Sequence, residues 1–159
     1  MGTLKGIDTI AQLRQFCNLA PEQFAGTVPR HVKPPIPLSG EAAKDMMLRL
    51  PWPPTLNNLF ATSGNRRRLS ERGRLFRAEV ALRVRLCPRH VVGRIEVNIY
   101  AYPPDNRIRD LDNLQKAILD SLKHAGVIED DGKIDRLSIT RREVTKPGYV
   151  NVFIVGIQE

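Results

Sequence analysis

The stretch Arg107-Ile-Arg-Asp-Leu-Asp-Asn-Leu-Gln-Lys116, continued by Glu129-Asp-Asp131, organises the fold of this 159-residue chain. Apolar side chains recur here at three- and four-residue steps, the period of a helix that buries one face: Leu111, Leu114, Ile118, Leu122 and Ala125. Asp110 stands where this helix should begin, as its N-cap, and Gly126 should end it. The pattern therefore predicts an amphipathic helix with acidic residues at both ends.

These acidic residues have two interpretations. Asp110 and Asp112 suit the start of a helix, and Asp112 with Lys116 suits an ordinary surface ion pair. Carboxylates are also the ligands that Mg²⁺ prefers, usually one or two together with substrate phosphate. The helix is about 20 Å long, and six or seven extended residues cover a similar distance. We therefore expect that Asp131 can meet Asp110 and Asp112 if the chain returns along the helix.

Two motifs carry a family resemblance. Arg109-Asp-Leu-Asp-Asn-Leu-Gln-Lys116 is followed by Ala125-Gly-Val-Ile-Glu-Asp-Asp131, and Leu50-Pro-Trp-Pro-Pro-Thr-Leu-Asn-Asn58 lies upstream. Together they resemble the signature of the RusA family of Holliday-junction endonucleases, over a region from Met46 to the end of the chain. The resemblance implies a Mg²⁺-dependent endonuclease that acts as a homodimer on four-way DNA junctions and nicks symmetric strands.

The resemblance also selects site residues. The positions that match the family's catalytic motif are Asp110, Asp112, Lys116 and Asp131. The three aspartates would hold one or two Mg²⁺, with Asp130 as a neighbouring candidate for the role of Asp131. Lys116 would stabilise negative charge in the transition state or on the leaving oxygen.

Positive charge is concentrated in one window. The net charge is +8, and ten arginines against two glutamates lie between Phe60 and Arg94, a surplus equal to that of the whole chain. Such segregation is typical of a phosphate-binding surface, and guanidinium groups bind phosphate bidentately. The residues predicted to contact DNA, including two in the loop before the central helix, are Arg66, Arg67, Arg68, Arg72, Arg74, Arg107 and Arg109.

Composition excludes several classes. With 42% hydrophobic residues the chain can form a globular core. It contains no long apolar run and no signal-peptide pattern, so we expect a cytoplasmic protein with no membrane association. Cys17 and Cys87 are far apart and the three histidines form no spaced cluster, which argues against a zinc site or a histidine-based mechanism.

The domain plan has two parts. Residues 1–45 read as an extension of short helices and a proline-rich linker, and residues 46–159 as a RusA-like endonuclease domain. The predicted order is β-α-β-α-β-β, an α+β fold in which two main helices pack on a small mixed sheet. The predicted elements are strands at Met46–Leu50, 95–102, 134–144 and 149–157, a hairpin tip or loop at 63–68, and a first helix at Glu71–Leu86.

Some choices stay open. Trp52 is expected to pack in the core, with stacking on an exposed base as the alternative, and Asn57 and Asn58 are expected in a loop. The functional alternatives are a non-catalytic module that binds DNA junctions and a Mg²⁺ nuclease without structural selectivity.

Overall fold

The computed structural model describes residues 41–63, 65–86 and 89–157, which form a mixed α+β fold. The predicted helices of residues 1–40 and the Cys87-Pro88 segment lie outside these ranges. The elements are β1 (Glu41–Ala42), β2 (Asp45–Pro51), α1 (Leu56–Leu59), β3 (Phe60–Ser63), β4 (Arg66–Leu69), α2 (Glu71–Leu86), β5 (Arg89–His90), β6 (Ile95–Tyr102), α3 (Asp112–His124), a 3₁₀ turn (Asp131–Lys133), β7 (Ile134–Arg141) and β8 (Tyr149–Gly156).

The main sheet has four strands in the order β2-β8-β6-β7. β8 is central, as its two apolar faces predicted, and it pairs antiparallel with β2 and β6. β6 and β7 are parallel, so α3 is the crossover that joins the end of β6 to the start of β7. We call the edge where β2 and β6 end the Pro51 end, and the edge where β6 and β7 begin the Ile95 end.

The core lies between one face of this sheet and the two long helices. Alternate residues of β6 are buried from Ile95 to Ala101, as the period-two pattern predicted. On α3, Leu114, Ile118 and Leu122 are fully buried. The predicted fold class is confirmed. No helix within the described ranges is long and apolar enough to cross a membrane.

The boundaries of α3 differ from the prediction at one end only. The helix begins at Asp112, and Leu111 rather than Asp110 occupies the capping position, with no side-chain cap. The C-terminus ends as expected: Gly126 has a φ of 73°, and the N–H groups of Gly126 and Val127 donate to the carbonyls of Lys123 and Leu122. This is the Schellman arrangement.

The segment before α2 is more ordered than predicted. Asn57 and Asn58 lie in the single-turn helix α1 instead of a loop, and β3 and β4 pair antiparallel with each other. α2 then packs closely on α1, because a Cβ at Gly73 would stand 2.6 Å from the carbonyl oxygen of Leu59. The helix itself spans the predicted residues. β7 ends at Arg141, three residues before the predicted Val144.

Candidate active site

Asp110 and Asp112 lie together at the N-terminal end of α3, near the Pro51 end of the sheet. Both side chains are exposed. Asp110 Oδ2 accepts a hydrogen bond from the side chain of Asn113 at 3.3 Å, and Asp112 Oδ1 accepts one from the Asn113 backbone N–H at 2.8 Å. Because Asp110 is not the N-cap, its carboxylate accepts from the side chain of Asn113 and does not cap the backbone N–H groups of the first turn. Both carboxylates are exposed to solvent, and the positive end of the helix dipole stabilises their negative charge.

Lys116 lies one turn further along the same exposed face of α3. Its Nζ donates to Asp120 Oδ1 at 3.1 Å, and its side chain is 54% exposed. Asp120 therefore gives this lysine a defined partner on the helix. Lys116 also lies four residues after Asp112, so the two side chains share one face of the helix.

Asp130 and Asp131 lie at the opposite end of the helix. Lys123 Nζ is 2.7 Å from Asp130 Oδ2 and 3.2 Å from Asp131 Oδ1. Lys123 is about 16 Å from Asp112 along the helix axis, at 1.5 Å per residue. Within the described ranges, no group of three or more acidic, histidine or cysteine side chains is placed to hold a metal ion. The expected meeting of Asp131 with Asp110 and Asp112 in one chain is therefore wrong.

The reason lies in the residues that follow α3. Val127 and Ile128 are buried; the Val127 carbonyl accepts from the Val91 N–H at 3.0 Å, and Ile128 forms a parallel bridge with Val91. These contacts hold the chain at the Ile95 end of the sheet, so it cannot run back along the helix. The length of an extended segment sets only the greatest distance that it can span. The direction in which it runs is set here by its buried apolar contacts.

The ion pairs of Lys123 make a pH-dependent prediction. Hydrogen bonds from Lys123, and then from the Gly132 N–H, lower the pKa of Asp130 to about 2. The contribution of this carboxylate to folding stability is fully present above the ordinary carboxyl pKa, about 3.9. It is lost as the pH falls through the folded-state pKa of about 2. We expect Lys123→Met to raise the pKa of Asp130 toward the ordinary value, as measured by carboxyl NMR titration. Lys133→Met, on the neighbouring turn, is the control; an unchanged pKa in Lys123→Met would contradict the assignment.

The loop before α3 is braced by Asp105. Its carboxylate accepts two hydrogen bonds from the Arg109 guanidinium, at 2.6 and 2.8 Å, and one from the Arg107 N–H at 2.9 Å. These bonds lower the pKa of Asp105 to about 2, so it is ionised at neutral pH. Arg141 from the end of β7 also donates to the Arg109 carbonyl. Arg109, predicted to contact DNA, is thus engaged within the chain, while Arg107 keeps a side chain that is 84% exposed.

A cleft of about 540 Å³ opens beside this loop. Its wall contains Trp52, whose half-buried ring packs against the core as predicted and lies 5.8 Å from the Arg109 guanidinium. We call it the Trp52 cleft. Its other polar and apolar lining includes Asn58, Arg72, Glu79, Arg107 and Ile108. The cleft therefore combines an aromatic wall with cationic groups, and the loop that lines it, Arg107 to Arg109, leads directly into Asp110.

The remaining predicted DNA-binding arginines are on the surface. Arg66, Arg67 and Arg68 are exposed along β4, and Arg72 and Arg74 are exposed on the first turn of α2. The Arg67 guanidinium lies 4.2 Å from the centre of the Phe60 ring, which ties it to β3. The other four have exposed side chains on β4 and α2.

Sequence reasoning missed three residues of this region. Asp105 has a signal in retrospect, because it stands four residues before Arg109. Lys123 continues the exposed face of α3 from Asp112 and Lys116 at a seven-residue step. Ile108 carries no periodic signal, and only the structure reveals its exposure.

The family model described as Endodeoxyribonuclease RusA matches residues 51–154, a range that contains both the Trp52 cleft and α3. The chain belongs to the RusA family. It is 33% identical over 111 residues to the crossover junction endodeoxyribonuclease rusA of Enterobacteria phage HK97, an alignment that covers 69% of this chain and 92% of that protein.

Two further RusA relatives agree. The crossover junction endodeoxyribonucleases RusA of Escherichia coli strain K12 and of Enterobacteria phage 82 are each 33% identical over 109 residues, covering 67% of this chain and 91% of theirs. The RusA match begins at Pro51, so residues 1–50 lie before it.

Proposed function

We propose that this chain is a Mg²⁺-dependent endodeoxyribonuclease that acts in the cytoplasm and resolves four-way DNA junctions by paired, symmetric nicks. The observation that carries the proposal is the exposed pair Asp110 and Asp112 at the start of α3, beside an arginine-lined cleft, in a chain of the RusA family. The named activity of the RusA relatives supplies the substrate class.

The donor set fits Mg²⁺. Two exposed carboxylates at a helix N-terminus match the one or two that Mg²⁺ usually takes from a protein, with phosphate and water as its other ligands. Bound there, the ion would supply an activated water and neutralise charge on the scissile phosphate. Asp110 and Asp112 would hold the ion, and Asn113 orients both carboxylates through its two hydrogen bonds.

Lys116 supplies the complementary charge. It lies four residues after Asp112 on the exposed face of α3, so its Nζ can reach a phosphate held at the acidic pair. There it stabilises the additional negative charge of the transition state or the leaving oxygen. Asp120 holds the side chain on this face until the substrate arrives.

A homodimer brings Asp131 to the site. In a two-fold pair whose α3 helices run antiparallel, the N-terminal end of one helix lies beside the C-terminal end of the other. Asp131 of one copy, with Asp130 as its neighbour, then approaches Asp110 and Asp112 of the second copy. Such a dimer contains two equivalent sites, as two symmetric nicks require. Because these acids are separated within one chain, a site that contains all three of them requires a second copy.

One observation also favours a second candidate. Because Asp131 is paired with Lys123 and distant from Asp110 in one chain, the acids have purely structural explanations if no dimer forms. The chain would then be a junction-binding module without catalytic activity.

The substrate panel separates these candidates. Purified protein is incubated with a four-way junction, a flap and a linear duplex, each with Mg²⁺ or with EDTA. We expect paired nicks in opposed strands of the junction with Mg²⁺ and no cleavage with EDTA. Junction binding without nicking in Mg²⁺ would favour the non-catalytic module. Equal cleavage of all three substrates would indicate a nuclease without structural selectivity.

The arginines of β4 should set the salt dependence of binding. Each phosphate contact contributes about 0.9 to the slope of log affinity against log salt. We expect Arg66→Ala with Arg68→Ala to lower the magnitude of this slope by about 1.8, measured by junction binding over a salt series. Arg67 is left in place because it packs on Phe60.

The matched control removes two arginines elsewhere. Arg94 and Arg136 pair with Asp135 and Glu96 near the Ile95 end of the sheet, so Arg94→Ala with Arg136→Ala should leave the slope nearly unchanged. If both double variants lower the slope equally, the arginine window has no special role in phosphate binding.

A further inference from the structure

The side chain of Ile108 is almost entirely exposed to solvent. It is 94% exposed, while the next most exposed large hydrophobic residue in the described ranges, Val92, is 52% exposed. Isolated apolar side chains on a surface are common and need no explanation by themselves. Ile108 differs because it stands between Arg107 and Arg109, two residues before Asp110.

The loop that presents Ile108 is fixed. Asp105 binds the Arg107 backbone and the Arg109 guanidinium, Arg109 Nη1 also donates to the Arg107 carbonyl at 3.2 Å, and Arg141 holds the Arg109 carbonyl from β7. The residues on both sides of Ile108 are therefore anchored while its own side chain projects outward. A braced apolar side chain between two cations is suited to insertion between stacked bases, as apolar wedges of DNA-bending proteins do.

The Trp52 cleft adjoins this side chain, since Ile108 lines it together with Trp52, Arg72 and Arg107. Its volume of about 540 Å³ is within the range of about 300 to 1,000 Å³ that small ligands occupy. The half-buried Trp52 ring and the Arg109 guanidinium that lies over it together give the cleft a planar, cationic wall on which a base can stack. Arg72 and Arg107 are exposed and can bind the phosphates on either side of that base.

The position of the cleft matches the chemistry of a branched substrate. Ile108 is separated from Asp110 by one residue, a distance of about 7 Å for an extended chain, so a nucleotide in the cleft adjoins a phosphate at the acidic pair. Base pairs next to a branch point lack a continuous stack on one side. Taking a base out of the stack costs least where stacking or pairing is already weakened.

We propose that Ile108 acts as a wedge at the branch point of the junction and that the Trp52 cleft receives the base which thereby leaves the stack. The inference rests on the proposed function, because it names the part of the same DNA substrate that the cleft binds. The wedge would also explain selectivity for branch points. A phosphate reaches Asp110 and Asp112 only when the neighbouring base has left the stack, and a continuous duplex resists that unstacking.

The test uses a four-way junction in which 2-aminopurine is the neighbour of the branch-point base proposed to enter the cleft, so that the probe loses a stacking partner to Ile108 without itself stacking on Trp52. A second junction carries the probe in the middle of one arm. Fluorescence is recorded in EDTA, at protein concentrations that saturate binding in a gel-shift assay. We expect the branch-point probe to brighten severalfold with the wild-type protein, and the mid-arm probe to stay unchanged. Trp52 is the single tryptophan of the chain, so quenching of its emission gives a second readout from the cleft.

The decisive variant is Ile108→Ala, at a position too exposed to affect folding. We expect it to lose most of the branch-point brightening and of the Trp52 quenching at saturation, whereas Val92→Ala, an exposed aliphatic residue near the Ile95 end, should behave as wild type. Equal brightening with Ile108→Ala, or none with wild type, would overturn the proposal. Conversion of Ile108→Ala to a monomer in sedimentation, with wild type dimeric, would also overturn it and assign Ile108 to contact between copies.

Failure of the wedge and failure of the proposed function give different results. If wild type binds the junction and nicks it in Mg²⁺ without brightening the probe, only the wedge is wrong. If wild type neither binds nor nicks the junction, the proposed function is wrong and the wedge with it.

Discussion

Asp112→Asn is expected to abolish nicking of a four-way junction in Mg²⁺ while leaving junction binding intact or tighter. The substitution keeps the size of the side chain but removes one of the carboxylate charges proposed to hold the ion. A metal ion stabilises such a transition state by several kcal/mol, and about 4 kcal/mol corresponds to about a 10³-fold loss of rate. Binding should persist because it depends on the arginines, and loss of a negative charge lowers repulsion of the phosphates.

The control for this variant is Asp45→Asn. Asp45 is also an exposed aspartate, at the start of β2 near the Ile95 end of the sheet. Nicking should be unchanged in this variant. Single-turnover cleavage and gel-shift affinity are measured for both proteins. Unchanged cleavage by Asp112→Asn would rule out its catalytic assignment, and parallel loss of binding and cleavage would indicate a structural role.

A mixed dimer of Asp112→Asn and Asp131→Asn is expected to recover activity that each variant lacks alone. If each site takes Asp112 from one copy and Asp131 from the other, the mixed dimer contains one site with both acids and one site with neither. The two chains are co-expressed with different tags and purified through both. We expect this dimer to nick one strand of each junction, with the paired second nick lost.

The mixed dimer distinguishes sites shared between copies from sites within one chain. If both acids acted within the same chain, every site in the mixed dimer would lack one of them, and the protein would be inactive. A control dimer in which both tagged chains carry Asp112→Asn should be inactive under either arrangement. Inactive mixed dimers with stable assembly would therefore contradict the proposed role of the second copy.

Sequence periodicity predicted the elements of this fold well where one face is buried. The first long helix spans Glu71–Leu86 as expected, and the alternation from Ile95 to Tyr102 gave the bounds of β6. Both elements have burial patterns of their own period, so local sequence carries the information. The central place of β8 was also predicted, because apolar residues on both of its faces require cover on both sides.

The separation of Asp131 from Asp110 and Asp112 was not predictable from local sequence. It depends on Val127 and Ile128, whose contacts with Val91 involve residues more than thirty positions away. Nothing in the local pattern specifies that partner. The N-cap was misassigned for a smaller reason, since helix ends shift by one or two residues and Asp110 hydrogen-bonds the side chain of Asn113 instead of a backbone N–H.

The arginines illustrate a further limit. Counting charge identified a basic window, but Arg109 uses its guanidinium on Asp105 and lies over Trp52. Arg67 packs on Phe60. Composition gives the number of cationic groups and the structure decides which of them are engaged within the chain. Ile108 is the converse case, because an apolar residue that looks unremarkable in the sequence is the most exposed of its kind in the described ranges.

Direct binding of Mn²⁺, as a paramagnetic substitute for Mg²⁺, to the protein–junction complex tests the central claim most directly. The measurement uses Lys116→Met, which should slow cleavage without changing a carboxylate, and records the EPR signal of free Mn²⁺. We predict saturable binding at each site of the complex and its loss when Asp112→Asn is added to Lys116→Met. Equal Mn²⁺ binding with and without Asp112→Asn would contradict the account.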